Sequence, residues 1–232
     1  MINILAVIAF CFLGAVLEAQ TIEKSARPLT EPHAAAELPS TKGDKDSFAI
    51  FGTSTIADGS IEGVSRDRHL LLLGARYSRT LGQTKWLKIS YTPEIIPVAL
   101  LSQPVVVLGV RTFTAPEKFP GVTQTQTTYG AGATPLGFEL QLFPDGRIHP
   151  IIGGGEGFLY FTKNVPSDLA AQFNFTLDVR FGLGIRLGEN KGLSCEYVYH
   201  HFSNAYHAED NPGVDSQMLY LAYSFNLHKR TR

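Results

Sequence analysis

The longest uninterrupted pattern in the chain is an alternation of apolar and polar positions from Phe173 to Leu187. Phe173, Phe175, Leu177, Val179, Phe181, Leu183, Ile185 and Leu187 fall on one face of an extended strand; Asn174, Thr176, Asp178, Arg180 and Arg186, with Gly182 and Gly184, fall on the other. A strand of about 15 residues is far longer than the roughly 5 to 6 typical of soluble sheets. Its apolar face is continuous while its second face carries charge, the arrangement of a transmembrane barrel that is apolar outside and polar inside.

The same alternation recurs at Leu193, Cys195, Tyr197 and Tyr199 and at Leu219, Leu221, Tyr223, Phe225 and Leu227. Extended along the chain it predicts about eight strands, at roughly 46–56, 68–79, 85–95, 128–143, 147–161, 172–188, 191–204 and 214–228, hence an all-β, eight-stranded antiparallel transmembrane β-barrel of the outer membrane. Connections alternate between tight (80–84, 144–146, 189–190) and long (57–67, 96–127, 162–171, 205–213). Short periplasmic turns and longer outer loops are the expected asymmetry, and both ends of the barrel then lie in the periplasm. The apolar stretch 95–110 carries Pro97 and Pro104, which leaves an extra strand pair and a membrane-dipping loop both open.

Composition narrows this picture at the ends. Met1–Ala19 holds an apolar run from Ile2 to Leu17, too short to span a membrane comfortably, and reads as a signal peptide cleaved after Ala19, with an N-terminal anchor as the alternative. Residues 20–45, rich in Pro, Ala, Glu, Lys and Thr, read as a flexible periplasmic lead-in, 46–228 as the barrel and 229–232 as a basic tail. Of 21 acidic residues Glu18 leaves with the signal, so 20 face 20 basic ones. A neutral chain offers no electrostatic case for nucleic acid. Of two cysteines only Cys195 would remain, which excludes an intramolecular disulfide.

Candidate chemistry gathers in Tyr199-His200-His201-Phe202-Ser203-Asn204-Ala205 and Asn211-Pro212-Gly213-Val214-Asp215. His201 and Ser203 share a strand face, and a return through the Asn-Pro-Gly segment can set Asp215 across the ladder. These three continue the apolar faces of their strands, so the group would lie on the barrel exterior, at the outer ends of the strands. A lone His-x-Ser would be better explained as a polar rim where strands leave the membrane; Asn204, Asn211 and Asp215 change that weighting, because a hydroxyl, an imidazole, a carboxylate and amides together on the lipid side are costly without a purpose. His200 points to the lumen, with Glu196 as its expected partner. Asp178 with Arg180 or Arg186, and Glu139 or Glu156, are expected as lumen salt bridges. Gly153-Gly154-Gly155-Glu156-Gly157 lacks the Lys-Ser/Thr and helix of a phosphate loop, and no His/Cys spacing suits a metal.

The stretch His201-Phe202-Ser203-Asn204-Ala205, with Asn211-Pro212-Gly213 and Asp215, resembles the C-terminal signature of the outer-membrane lipid A 3-O-deacylases, the PagL family. The resemblance implies an eight-stranded barrel with an exterior catalytic site that removes the ester-linked 3-hydroxyacyl chain at position 3 of lipid A, without a cofactor. On it His201 matches the base, Ser203 the nucleophile and Asp215 the acid, where the best-known members carry Glu. Asn204 matches the oxyanion-hole asparagine, with backbone near Ala205 assisting, and Asn211 a second asparagine of the motif. Lipid A in the outer membrane would be the substrate, and an exterior polar site is compatible with a homodimer. An acyloxyacyl hydrolase or phospholipase using the same residues, or a non-enzymatic small barrel, are the competing readings.

Overall fold

The computed structural model describes residues 46–57, 61, 63, 66–107 and 122–226. The expected signal, lead-in and basic tail lie outside these residues. Among the described residues nine antiparallel strands form one sheet: β1 (Asp46–Ala57), β2 (His69–Gln83), β3 (Leu87–Tyr91), β4 (Glu94–Val107), β5 (Val122–Leu142), β6 (Ile148–Val165), β7 (Ala171–Arg186), β8 (Lys191–Ser203) and β9 (Val214–Asn226). The sheet closes on itself, because β1 pairs with both β9 and β2. Both β3 and β4 pair with β2 on one side and β5 on the other. They are one stave interrupted at Thr92-Pro93, so nine strands make an eight-stave barrel. The break is stitched by Tyr77 N–H donating to Pro93 O at 3.0 Å and Thr92 N–H donating to Gly137 O at 2.7 Å.

Residues 95–107 are thus wall rather than a dipping loop. Pro97 lacks a ladder donor, and it sits where the β4–β5 register slips between Ile96 and Ala99. The bulge absorbs the missing N–H, and Tyr129 Oη donates to Pro97 O at 2.6 Å across it. Its partner β5 begins at Val122, six residues earlier than the 128 expected from alternation. The Thr-Gln repeats there carry no apolar face to read.

Outward positions form an apolar belt that includes Ile50, Ile95, Ile152, Phe181, Leu183 and Leu221, all exposed. Staves of 12 to 21 residues exceed the roughly 9–11 that a tilted strand needs to cross the hydrocarbon. The lumen is filled instead by charge. Glu94 Oε1 accepts from Arg76 Nε at 2.8 Å, Arg180 Nη1 at 2.7 Å and Tyr220 Oη at 3.3 Å. Arg76 Nη1 reaches Glu139 Oε2 at 2.9 Å, and its guanidinium stacks 4.6 Å above the Tyr220 ring. All five side chains are buried.

The lumen pairs differ in detail from those expected. Arg180 pairs with Glu94 rather than Asp178. Asp178 bonds His200 Nδ1, so the partner of His200 is not Glu196; the two face each other directly across β7 and β8. Glu196 accepts from Ser194 Oγ at 2.8 Å. Arg186 holds the carbonyls of Pro144 and Asp145 at the β5–β6 turn. Glu139 is in the lumen cluster, whereas Glu156 is exposed, opposite Leu136 and Leu177 on the outer face.

Candidate active site

Strand β8 divides its residues by parity. Glu196, Val198, His200 and Phe202 are buried inward, while Cys195, Tyr197, Tyr199, His201 and Ser203 alternate with them on the exterior. His201 and Asp215 are direct partners across β8 and β9. Their side chains therefore meet: His201 Nδ1 lies 2.7 Å from Asp215 Oδ1. The carboxylate partner makes Nδ1 the protonated nitrogen and leaves Nε2 as the acceptor.

Asp215 occupies an outward strand position yet is 1% exposed. Its cover comes from the β1–β2 loop, whose Ile61 and Gly63 N–H groups donate to Asp215 Oδ2 at 2.7 and 2.8 Å. The side chain of His201 keeps 19% exposure beside it. Ser203 ends β8 two residues on, on the same face and partly exposed. Among the described residues its hydroxyl makes no hydrogen bond. Residues i and i+2 of a strand stand roughly 6.5 to 7 Å apart, a gap that the imidazole and hydroxyl close by side-chain rotation.

The other predicted residues build the turn beyond Ser203. Asn204 is buried, its Nδ2 donating to Asp210 O at 2.8 Å and its backbone N–H to Asn211 Oδ1 at 3.0 Å. Both asparagines thus tie the β8–β9 loop to the strand end. Ala205 and Tyr206 come next with φ of 51° and 62°, left-handed values that cost a non-glycine residue roughly 1–2 kcal/mol each. Among the described residues neither N–H has a partner, and both lie just past Ser203.

Sequence reasoning missed the Ile61–Gly63 contact, since backbone donors have no residue-type signature and these lie more than 150 positions from Asp215. In the sequence Gly213 reads only as part of a turn. Its φ is +63°, and a Cβ there would come within 2.9 Å of His201 Cε1, so the bare backbone is what lets the imidazole lie against it. A cavity of about 620 Å³ opens among the short turns at the opposite end of the barrel, lined by Lys88, Asp145, His149 and Glu189 among others. It is remote from this chemistry. No group of His, Cys, Asp or Glu suited to a metal ion occurs among the described residues.

No curated protein matches the chain. Among solved structures it is similar to the crystal structure of the outer membrane enzyme PagL, at 16% identity and TM-score 0.48, covering 78% of this chain and 99% of that one. It is also similar to Neisserial surface protein A (12% identity, TM-score 0.41, 78% and 96% covered) and to the outer membrane protein OprG from Pseudomonas aeruginosa (14%, 0.44, 80% and 98%). The closed, charge-filled barrel with its apolar belt is an outer-membrane β-barrel. Residues 114–224, a span that holds His201, Ser203, Asn204 and Asp215, match the family model described as Lipid A 3-O-deacylase (PagL).

Proposed function

We propose that the chain is an outer-membrane lipid A deacylase that hydrolyses the ester-linked 3-hydroxyacyl chain at position 3, with Ser203 as nucleophile, His201 as base and Asp215 as acid. The observation that carries this is the 2.7 Å contact between His201 Nδ1 and Asp215 Oδ1, on the barrel exterior with Ser203 two residues away. The family matched by residues 114–224 points to the substrate. So does position: the three residues lie at the strand ends opposite the short turns, which is the level of the outer leaflet.

His201 Nε2 takes the Ser203 proton as Oγ attacks the ester carbonyl, and Asp215 stabilises the imidazolium that forms. The tetrahedral oxyanion is received by the N–H groups of Ala205 and Tyr206, which are preorganised and without partners among the described residues. Asn204, expected as a side-chain donor, serves here by holding that turn through Asp210 and Asn211. As the intermediate collapses, the bond from the carbonyl carbon to the sugar oxygen breaks and the imidazolium gives its proton to that oxygen, which leaves as a hydroxyl. Water, deprotonated by His201, then releases the 3-hydroxy fatty acid and regenerates Ser203. Every proton moves among side chain, substrate and water, so the chemistry requires no cofactor.

The test is purified, refolded protein in detergent with lipid A and, separately, a phospholipid. Release of a 3-hydroxy fatty acid by the wild type, and none by Ser203→Ala or His201→Asn, is expected. Release of a secondary acyl chain or a phospholipid fatty acid instead would reassign the substrate. Activity persisting in Ser203→Ala would refute the site.

A further inference from the structure

We infer that the β1–β2 loop is a working part of the catalytic group, with Ile61 and Gly63 as positioning residues that hold Asp215 through their backbone N–H groups. This rests on the proposed role of Asp215; the two loop residues themselves lie outside residues 114–224, the stretch that matches the family model.

A carboxylate on an outward strand position would ordinarily turn toward water or lipid head groups. Here its two oxygens are divided: Oδ1 faces His201, and Oδ2 accepts both loop N–H groups. Two fixed donors on one oxygen set the plane of the carboxylate, and with it the direction in which Oδ1 presents itself to the imidazole. They also give a carboxylate with 1% exposure two backbone hydrogen-bond donors.

The loop reaches this position because of its glycine. A Cβ at residue 63 would lie 2.9 Å from Gly213 C and from Val214 N, and 3.0 Å from Asp215 Oδ1. The loop backbone is therefore seated on the first residues of β9 at a separation that only glycine permits. The Cβ position of Gly213, which faces the His201 ring, is in turn 3.7 Å from Gly63 Cα. Two bare backbones thus enclose the His201–Asp215 pair from the loop side. The side chain of Ile61 is 74% exposed, so its connection to the site is the N–H rather than packing.

That difference gives the experiment. Ile61→Pro removes the donor and Ile61→Ala keeps it. With lipid A as substrate, Ile61→Pro is expected to lower kcat about 10- to 100-fold with KM little changed, and to exceed any loss in Ile61→Ala by about tenfold or more. Gly63→Ala, which forces the loop off β9, should behave like Ile61→Pro. Heat-modifiable electrophoretic mobility confirms that each barrel is folded. A readout that does not depend on activity is the His201 Nδ1–H proton resonance in 15N-histidine-labelled protein: it should move in Ile61→Pro and Gly63→Ala. Equal kcat in Ile61→Pro and Ile61→Ala, with an unmoved His201 resonance, would overturn the proposal. If Ser203→Ala is inactive while Ile61→Pro matches wild type, the loop inference alone fails; if Ser203→Ala is active, the site reading itself fails.

Discussion

Replacing Asp215 by Asn preserves shape and removes one charge, and the groups around the carboxylate decide which way the new amide turns. Among the described residues three donors converge there: His201 Nδ1–H, Ile61 N–H and Gly63 N–H. An amide offers one oxygen and one NH2, so it can satisfy either the loop or the imidazole. Turning its NH2 toward the loop would set it against two buried N–H groups, each costing about 1–3 kcal/mol if left unsatisfied. Turning it toward His201 leaves the loop bonds intact, and the imidazole can relieve the mismatch by moving its proton to Nε2. The second orientation wins, and it places a proton on the very nitrogen that must accept one from Ser203. A wrong tautomer of this kind costs a hydrolytic triad about 10⁴-fold in kcat, equivalent to about 5.4 kcal/mol of transition-state stabilisation. Initial rates of fatty-acid release from lipid A by refolded Asp215→Asn and wild type measure it. A variant retaining more than about a tenth of wild-type kcat would show that His201 does not depend on the Asp215 charge for its tautomer.

His200→Asn is expected to leave deacylation within a few-fold of wild type while His201→Asn abolishes it, because His200 faces the lumen and Asp178; lipid A mass spectra of hosts expressing each variant check this. Asp215→Glu is expected to lose activity by about 10- to 100-fold, since the loop leaves no room for an added methylene where a Gly63 Cβ would already lie 3.0 Å from Oδ1; the same kinetic assay reads it. Glu94→Gln leaves buried Arg180 without its carboxylate and should destabilise the barrel by about 3–5 kcal/mol in urea unfolding from lipid vesicles.

The alternation in Phe173–Leu187 and in the last two strands made the closed barrel and the exterior placement of the candidate residues legible, because a period of two assigns every side chain to a face. It placed His201, Ser203 and Asp215 outward, and the cross-strand register then brought His201 opposite Asp215. Alternation carries no information about which charges meet across a lumen. Arg180 joins Glu94, 86 residues away, and Asp178 meets His200 through strand register rather than sequence proximity. Residue type identified Asn204 and Asn211 as partners of the site, but the structure shows them tying down the β8–β9 loop. The Thr-Gln start of β5 and the Pro-interrupted β4 hid one hairpin of the wall, where bulges rather than alternation set the geometry.

The most direct test of Ser203-dependent deacylation is mass spectrometry of lipid A from a Gram-negative host expressing the wild type or Ser203→Ala, each confirmed folded in the outer membrane. Loss of one 3-hydroxyacyl mass is expected in the wild type alone. An unchanged lipid A with folded wild-type protein, or the same loss with Ser203→Ala, would rule this function out.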